Sequence, residues 1–360
     1  MGDDRAGDAD RPRTRWGRVL AANLVGVGIL LALLEIGTRL LRPDVGPAGS
    51  DLSLLQDRAF QDADGFTTAL RPGAVGQANG ATVRVDAQGY HVYAGNAGLA
   101  DSAAVWLWLG DSVTFGIGVP ADSTLAGRLA LAQDTARVLN PSLLGWGTVD
   151  YRRRLEAALA DGLRPARVTL VWCLNDADPG RPSRPGEVGR LEVTRRDLVR
   201  RLNLHSRLYR LLKGVALDRP ARYFAYDRQW YEPLRTPRAD RAPAPIDTAL
   251  DPLWTIRDTL AARGIPFEVV VVPYEPQLRA GDAMPQRALV PRLRQRGIPT
   301  LDLLDAFRRV DRPERLFLWS DGIHLSEAGH AVAAGAIARW RPPGRPPGRP
   351  PALEVPPDPR

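Results

Sequence analysis

Five short apolar runs recur between residues 101 and 340, and they limit the fold more than any other feature. They lie at Val105–Leu109, Arg137–Asn140, Val168–Cys173, Phe267–Val272 and Thr300–Leu304. Stretches with helical patterning separate them, at 121–134, 148–161, 190–213, 249–263, 286–296 and 326–340. A strand that is apolar along its whole length needs cover on both faces, and strands that alternate with helices pair in parallel. The pattern therefore predicts an α/β domain built on a parallel sheet. Sites in such sheets sit at the carboxyl ends of the strands. The first run breaks off sharply there: in "WLWLGDSVTF", residues 106–115, Gly110-Asp111-Ser112 follows directly on the apolar run. The trio reads either as a turn or as a strand end that presents a nucleophile.

The N-terminal region carries a second constraint. From Val19 to Leu34 only Asn23 is clearly polar. These residues fall short of the ~20 needed to span a bilayer, but Trp16 and the stretch Ile36–Leu41 extend them, with Glu35 near the far interface. A cleaved secretory signal and a buried soluble helix are the competing readings. No small-x-small cleavage site follows Leu34, so residues 16–41 are expected to be a retained transmembrane anchor. Arg5, Arg11, Arg13, Arg15 and Arg18 crowd the N-terminal flank. The excess of basic residues on the cytoplasmic side of membrane proteins places residues 1–15 in the cytoplasm and the bulk of the chain outside, although Arg39 and Arg42 on the far side oppose this.

Other boundaries follow from composition. Residues 42–100, rich in Pro, Gly, Asp and Ala, read as an accessory or linker segment with a turn at Gly89. The main domain is expected at 101–340. Within it 177–246 is long for a crossover, and its aromatic run "RYFAYDRQWYEP" suggests a cap insertion. Residues 341–360 are a Pro-rich tail that cannot build a core. The formal charge is +8, but the basic residues are almost all Arg, with Lys213 the one Lys, and they form no stripe interleaved with aromatics. Nucleic acid is therefore not an expected partner. One cysteine, Cys173, allows neither an intrachain disulfide nor a cysteine-based metal site. The histidines at 91, 205, 324 and 330 stand in no metal-binding spacing. No metal and no cofactor are expected.

A serine hydroxyl needs a base, and the base needs an orienting acid. Both occur in "WSDGIHLSEAGH", where Asp321 and His324 lie three apart and Ser326 is placed to cap the last helix. Donors for a developing oxyanion are available at two other strand ends: a backbone N–H at Gly145, with Gly147 as its rival, and the side-chain amide of Asn175 in "VTLVWCLNDAD".

Together these blocks resemble the SGNH (GDSL-type) hydrolase family, in its membrane-anchored bacterial-type branch. Gly110-Asp111-Ser112, Gly145, Asn175-Asp176 and Asp321-Gly322-Ile323-His324-Leu325-Ser326 occur in the family's order over about residues 103–340. The resemblance implies a flavodoxin-like three-layer α/β/α sandwich with about five parallel strands. It implies Ser112 as nucleophile, His324 as base and Asp321 as its orienter. The oxyanion hole would come from the N–H groups of Ser112 and Gly145 and the side chain of Asn175. The chain departs from the family at Cys173, where Gly is common, and at Asp86 and His91 in a segment that otherwise resembles an Asn-Ser-x-Gly-x-Arg block of anchored members. The serine does not lie in GxSxG, which disfavours the other large serine esterase fold. Cys173 reads as a small buried residue beside the site.

The expected activity is hydrolysis of short-chain, acetyl-type O-esters, on an ester-bearing small molecule or on envelope carbohydrate. The same constellation serves an O-acyltransferase acting on a polysaccharide, and a lipase or thioesterase would differ in acyl length. A catalytically silent envelope binding or assembly module is the alternative of another class, and an intact Ser, His and Asp set argues against it.

Overall fold

A computed structural model describes residues 13–46, 55, 69–177, 198–199, 201–218, 245–319 and 321–340. The polar N-terminus to residue 12, most of the expected cap at 177–246 with its aromatic run, and the tail at 341–360 lie outside the described residues. Helix α1 (Arg13–Leu41) is apolar and leaves its large side chains exposed from Trp16 onward. It is the one helix among the described residues long and apolar enough to cross a membrane. Its exposure removes the reading of this segment as a packed core helix.

Strands β1 (Val75–Ala78) and β2 (Ala81–Arg84) pair antiparallel about Asn79-Gly80, whose φ values of 46° and 83° suit the tight hairpin turn that matches strand twist. Gly89 also turns the chain, but this hairpin is additional to the sequence reading. Ala78, Val83, Val85, Tyr90 and Tyr93 share the main hydrophobic core, so the segment packs as part of the domain.

The five apolar runs become β3 (Ala104–Leu109), β4 (Ala136–Leu139), β5 (Arg167–Trp172), β6 (Phe267–Val271) and β7 (Thr300–Asp302). All pair in parallel, in the order β4-β3-β5-β6-β7. This is the flavodoxin-like order, which reverses direction at β3. Crossovers in such sheets are right-handed. The path from β3 to β4 runs one way and the path from β4 to β5 the other, so their helices cover opposite faces. The first face carries α3 (Leu125–Leu131). The second carries α4 (Thr148–Ala160).

After β5 come α5 (Arg207–Lys213) and α6 (Pro245–Ala261), and α6 packs along α4. Then follow α7 (Glu275–Ala280), α8 (Met284–Gln295), α9 (Leu304–Arg308) and α10 (Glu327–Arg339), with α10 packed along α3. Short α2 (Ser112–Phe115) precedes α3.

Several boundaries moved for local reasons. The run at 300–304 stops as strand at Asp302, whose carboxylate accepts from Leu304 N–H (3.0 Å) and starts α9. The helix expected over 121–134 begins only at Leu125, because Thr124 caps it through Gly127 N–H (3.1 Å). The long helix expected over 190–213 is interrupted at Ser206, where α5 takes a new N-terminus.

The central strands are largely buried, and a chain of polar groups across them is paired. Trp106 Nε1–H donates to Thr169 Oγ1 (2.7 Å), whose hydroxyl donates to buried Glu268 (2.7 Å). Without such partners a carboxylate in the sheet would be strongly destabilising.

Two histidines are buried in the same way. His91 lies edge-on to Phe115, with ring centroids 4.6 Å apart. His330 Nδ1 accepts from Leu125 N–H (3.1 Å), tying α10 to the start of α3. Burial lowers their pKa values to about 4 for His91 and about 3 for His330, from an ordinary 6.5. Below about pH 6.5 the unfolded chain takes up protons at these imidazoles while the folded chain does not, so stability falls as pH falls. The melting temperature of the detergent-solubilised protein is expected to drop between pH 7.5 and pH 5. His330→Asn, which keeps an acceptor near the Nδ1 position, is expected to shrink that drop. A melting temperature that does not move over this range refutes the account.

Candidate active site

The site starts where β3 ends. A Cβ on Gly110 would lie 1.9 Å from Thr114 Oγ1, so only glycine lets the chain turn so tightly into α2. Asp111 follows, fully buried, and caps α2 by accepting from Val113 N–H (2.9 Å). Ser112 is the first residue of α2 and is half-buried.

The partner arrives from the turn before α10. Asp321 closes that turn by accepting from the N–H groups of Ile323 (3.1 Å) and His324 (3.0 Å) through Oδ1. Its other oxygen, Oδ2, accepts from His324 Nδ1 at 2.9 Å. A carboxylate oxygen can only accept here, so Nδ1 carries the proton and Nε2 is left as an acceptor. Nε2 lies 2.8 Å from Ser112 Oγ. That is within the reach a general base requires.

Asn175 comes from the turn after β5, on the other side of the point where the strand order reverses. Its Nδ2 donates one hydrogen to Asp111 Oδ2 (2.9 Å). Its Oδ1 accepts from the hydroxyl of Tyr274 (2.6 Å), and Tyr274 Oη also accepts from Asn175 N–H (3.2 Å). The amide plane is therefore held from both ends, with one Nδ2 hydrogen left over. Gly145 lies between β4 and α4 with φ 80°, a conformation that favours glycine. The N–H of its rival Gly147 is engaged by Asp150 Oδ2 (3.0 Å) in the first turn of α4.

Ser112, Asp321, His324 and Asn175 thus form one linked group, with Asp111 as the link to Asn175. Gly145 lies in a separate loop at the end of the neighbouring strand.

Beneath them lies a buried polar layer. Asp176 accepts from Tyr151 Oη–H (2.7 Å) and Cys173 N–H (2.9 Å). Burial, aided by the nearby Asp111, pushes the Asp176 carboxyl well above the usual carboxylate range. Burial likewise pushes the Cys173 thiol and the Tyr274 phenol up. Cys173 is therefore a protonated, inert thiol, with its Sγ 3.8 Å from Asp111 Oδ1. Tyr274 and the linking role of Asp111 were missed by sequence reasoning. The available signal for Tyr274 was its place just past the carboxyl end of β6.

The profile of the GDSL-like Lipase/Acylhydrolase family matches residues 108–332, more than half of the chain. The chain belongs to this family. It is accordingly a serine hydrolase that acts on ester bonds. No curated protein matches the hydrolase significantly. Solved structures similar to it include a member of the lipolytic G-D-S-L family from Veillonella parvula, at 12% identity and TM-score 0.37, covering 65% of this chain and 96% of that one. A lipase/acylhydrolase from Enterococcus faecalis is similar at 16% identity and TM-score 0.35, covering 65% and 93%. A family 3 carbohydrate esterase from Clostridium thermocellum is similar at 15% identity and TM-score 0.35, covering 66% and 94%.

In steady-state ester hydrolysis, Ser112→Ala is expected to leave only a trace of activity with the melting temperature unchanged, since one half-buried hydroxyl is removed. Asn175→Ala is expected to lower kcat by about 10²–10³-fold. Tyr274→Phe removes a hydrogen bond of about 1 kcal/mol and is expected to lower kcat several-fold with KM little changed. A wild-type kcat in Asn175→Ala would move the oxyanion role elsewhere.

Proposed function

We propose that the protein is a membrane-anchored esterase that removes short acyl groups, acetyl above all, from O-esters on envelope carbohydrate. The observation that carries the chemistry is the 2.8 Å approach of His324 Nε2 to Ser112 Oγ, with Nδ1 held by Asp321. In this reading Ser112 Oγ attacks the ester carbonyl while His324 Nε2 takes its proton. The oxyanion is met by the N–H groups of Ser112 and Gly145 and by the free Nδ2 hydrogen of Asn175. The carbonyl–alkoxy bond then breaks, and His324 returns the proton to the leaving alcohol. Water, activated by the same Nε2, attacks the acyl-enzyme, and the carboxylic acid leaves as Ser112 regains its proton.

The preference for a short acyl group rests on what lies behind the serine. Val113, Thr114 and Phe115 are buried, so α2 fills the space beneath Ser112 with its own side chains. The segment that follows, Gly116 to Val119, is closed by a tight turn, with Val119 N–H on Gly116 O at 3.1 Å. Acetyl and propionyl nitrophenyl esters are therefore expected to give higher kcat/KM than octanoyl or longer esters. A preference for long chains overturns the carbohydrate-ester reading. Transfer of most of the acyl group to an added sugar, in place of hydrolysis, replaces it with an O-acyltransferase.

The orientation belongs to the same proposal. With α1 as a retained anchor and its Arg-rich flank in the cytoplasm, the catalytic domain is extracytoplasmic. A topology reporter fused after residue 45 is expected to be active only outside the cytoplasm, and cytoplasmic activity reverses the assignment.

A further inference from the structure

The end of α1 is fastened to the domain by a carboxylate. Glu35 accepts four hydrogen bonds: from Arg39 Nε (2.8 Å) and Arg207 N–H (2.9 Å) at Oε1, and from Ser206 Oγ (2.9 Å) and Leu208 N–H (2.9 Å) at Oε2. Ser206 is also the cap of α5, accepting from Tyr209 N–H (3.0 Å). An acid on one helix thus fills the N-terminus of another, where the aligned peptide dipoles favour an anion. The joint is reinforced from both sides. Arg39 Nη2 donates to His205 O (2.7 Å), Arg207 Nη1 to Arg39 O (3.2 Å) and Arg210 Nη2 to Val45 O (3.2 Å).

The depth of this joint is what matters. The apolar length of α1 is 26 residues, Trp16–Leu41, or ~39 Å of helix. A hydrocarbon core is ~30 Å thick. Trp16 marks one interface, as aromatic residues commonly do. The ~9 Å of excess therefore falls at the other end, and Glu35 stands six residues, ~9 Å, before Leu41. Helix α5 leaves α1 at the boundary between hydrocarbon and headgroups.

The side chains around the joint match that level. On α1, Leu40 and Leu41 are 75% and 79% exposed, beyond the point where α5 attaches. On α5 and its continuation through Asp218, Leu212 is 60% and Val215 56% exposed. Arg207, Arg210 and Lys213 punctuate the same stretch. Arg207 and Arg210 are drawn into the joint by their bonds to Arg39 O and Val45 O, which leaves the apolar Leu212 and Val215 facing outward, as suits a helix lying in the interface. One residue past α1, the Arg42 guanidinium lies 4.3 Å from the ring centroid of Trp319, two residues before Asp321. The loop that bears Asp321 and His324 is therefore next to the anchor's end.

We propose that α5 and its continuation to Asp218 lie in the headgroup layer of the bilayer that α1 crosses, apolar face inward. They thereby hold the active-site loop at the membrane surface. This inference rests on the anchor reading of α1, and it narrows the substrate to esters presented at that surface.

The test uses the full chain in phospholipid nanodiscs containing phosphatidylglycerol, at one copy per disc. An environment-sensitive fluorophore is attached at Leu212→Cys or Val215→Cys, with Leu24→Cys in α1 as the membrane reference and Leu131→Cys, exposed at the end of α3, as the aqueous control. Buried Cys173 makes the unsubstituted protein the labelling blank. Doxyl-labelled lipid is expected to quench the 212 and 215 probes several-fold more than the 131 probe, and iodide is expected to quench them less. If 212 and 215 behave like 131, the inference is overturned. If they are shielded from both quenchers, protein covers this face and the inference is also overturned. Lipid quenching at Leu24 without quenching at 212 or 215 defeats this inference alone. Its absence at Leu24 defeats the anchor reading along with it.

Discussion

One buried carboxylate, Asp111, joins the two strand ends on which the site is built. It caps α2 through Val113 N–H and holds the Asn175 amide, so the same group orients Ser112 on β3's side and Asn175 on β5's side. The arrangement exists because the strand order reverses at β3, which opens a crevice between neighbouring carboxyl ends. It also depends on Gly110, since any side chain there would collide with Thr114. A buried carboxylate is tolerated only when its oxygens are occupied. Here the hydrogen bonds that occupy them are the ones that aim the functional groups. Asp176 lies below, pushed by burial toward its neutral form, and Tyr151 and Cys173 satisfy it.

The histidine side of the site is organised differently. Asp321 and His324 lie on a single turn, and the carboxylate that orients the imidazole also closes the turn's backbone. That turn is moored by Leu318 N–H on His324 O, by Glu275 N–H on Gly322 O and by the bridge between Phe317 and Leu325. Ser326 then starts α10, and His330 on α10 accepts from the first residue of α3. A buried neutral imidazole thus pins the helix that follows the Asp321–His324 turn to the helix that follows Ser112. Acidification acts on this joint, which couples the stability of the fold to the geometry of the site.

The end of α1 adds a third layer of positioning. Glu35 is the hub there, as Asp111 is in the site: one acid satisfied by several donors from a distant segment. Arg42 on Trp319 connects that hub's neighbourhood to the loop that bears Asp321 and His324. Helix α1, α5 and the site are consequently parts of one construction.

Much of this was legible in the chain, because burial leaves a local signature. Runs such as Val168–Trp172 must be covered on both faces, and that alone sets strand type, parallel pairing and the position of Ser112 at a strand end. The Asp321–His324 spacing sets their mutual contact, because three residues of turn leave the two side chains little choice. Long-range pairing has no such signature. The tie between Glu35 and Ser206 spans 171 positions and that between Tyr274 and Asn175 spans 99. The break of a predicted helix at Ser206 was therefore invisible, and for Tyr274 the strand-end position was readable but its partner was not. Sequence by itself determined the strands of the sheet and their parallel pairing, and it offered the residue types that ester chemistry needs, since these follow from periodicity, turn chemistry and residue type. Tertiary structure alone decided which strand ends are neighbours and which buried donors meet which carboxylates, because those contacts depend on how the sheet is wound and not on any residue's near neighbours.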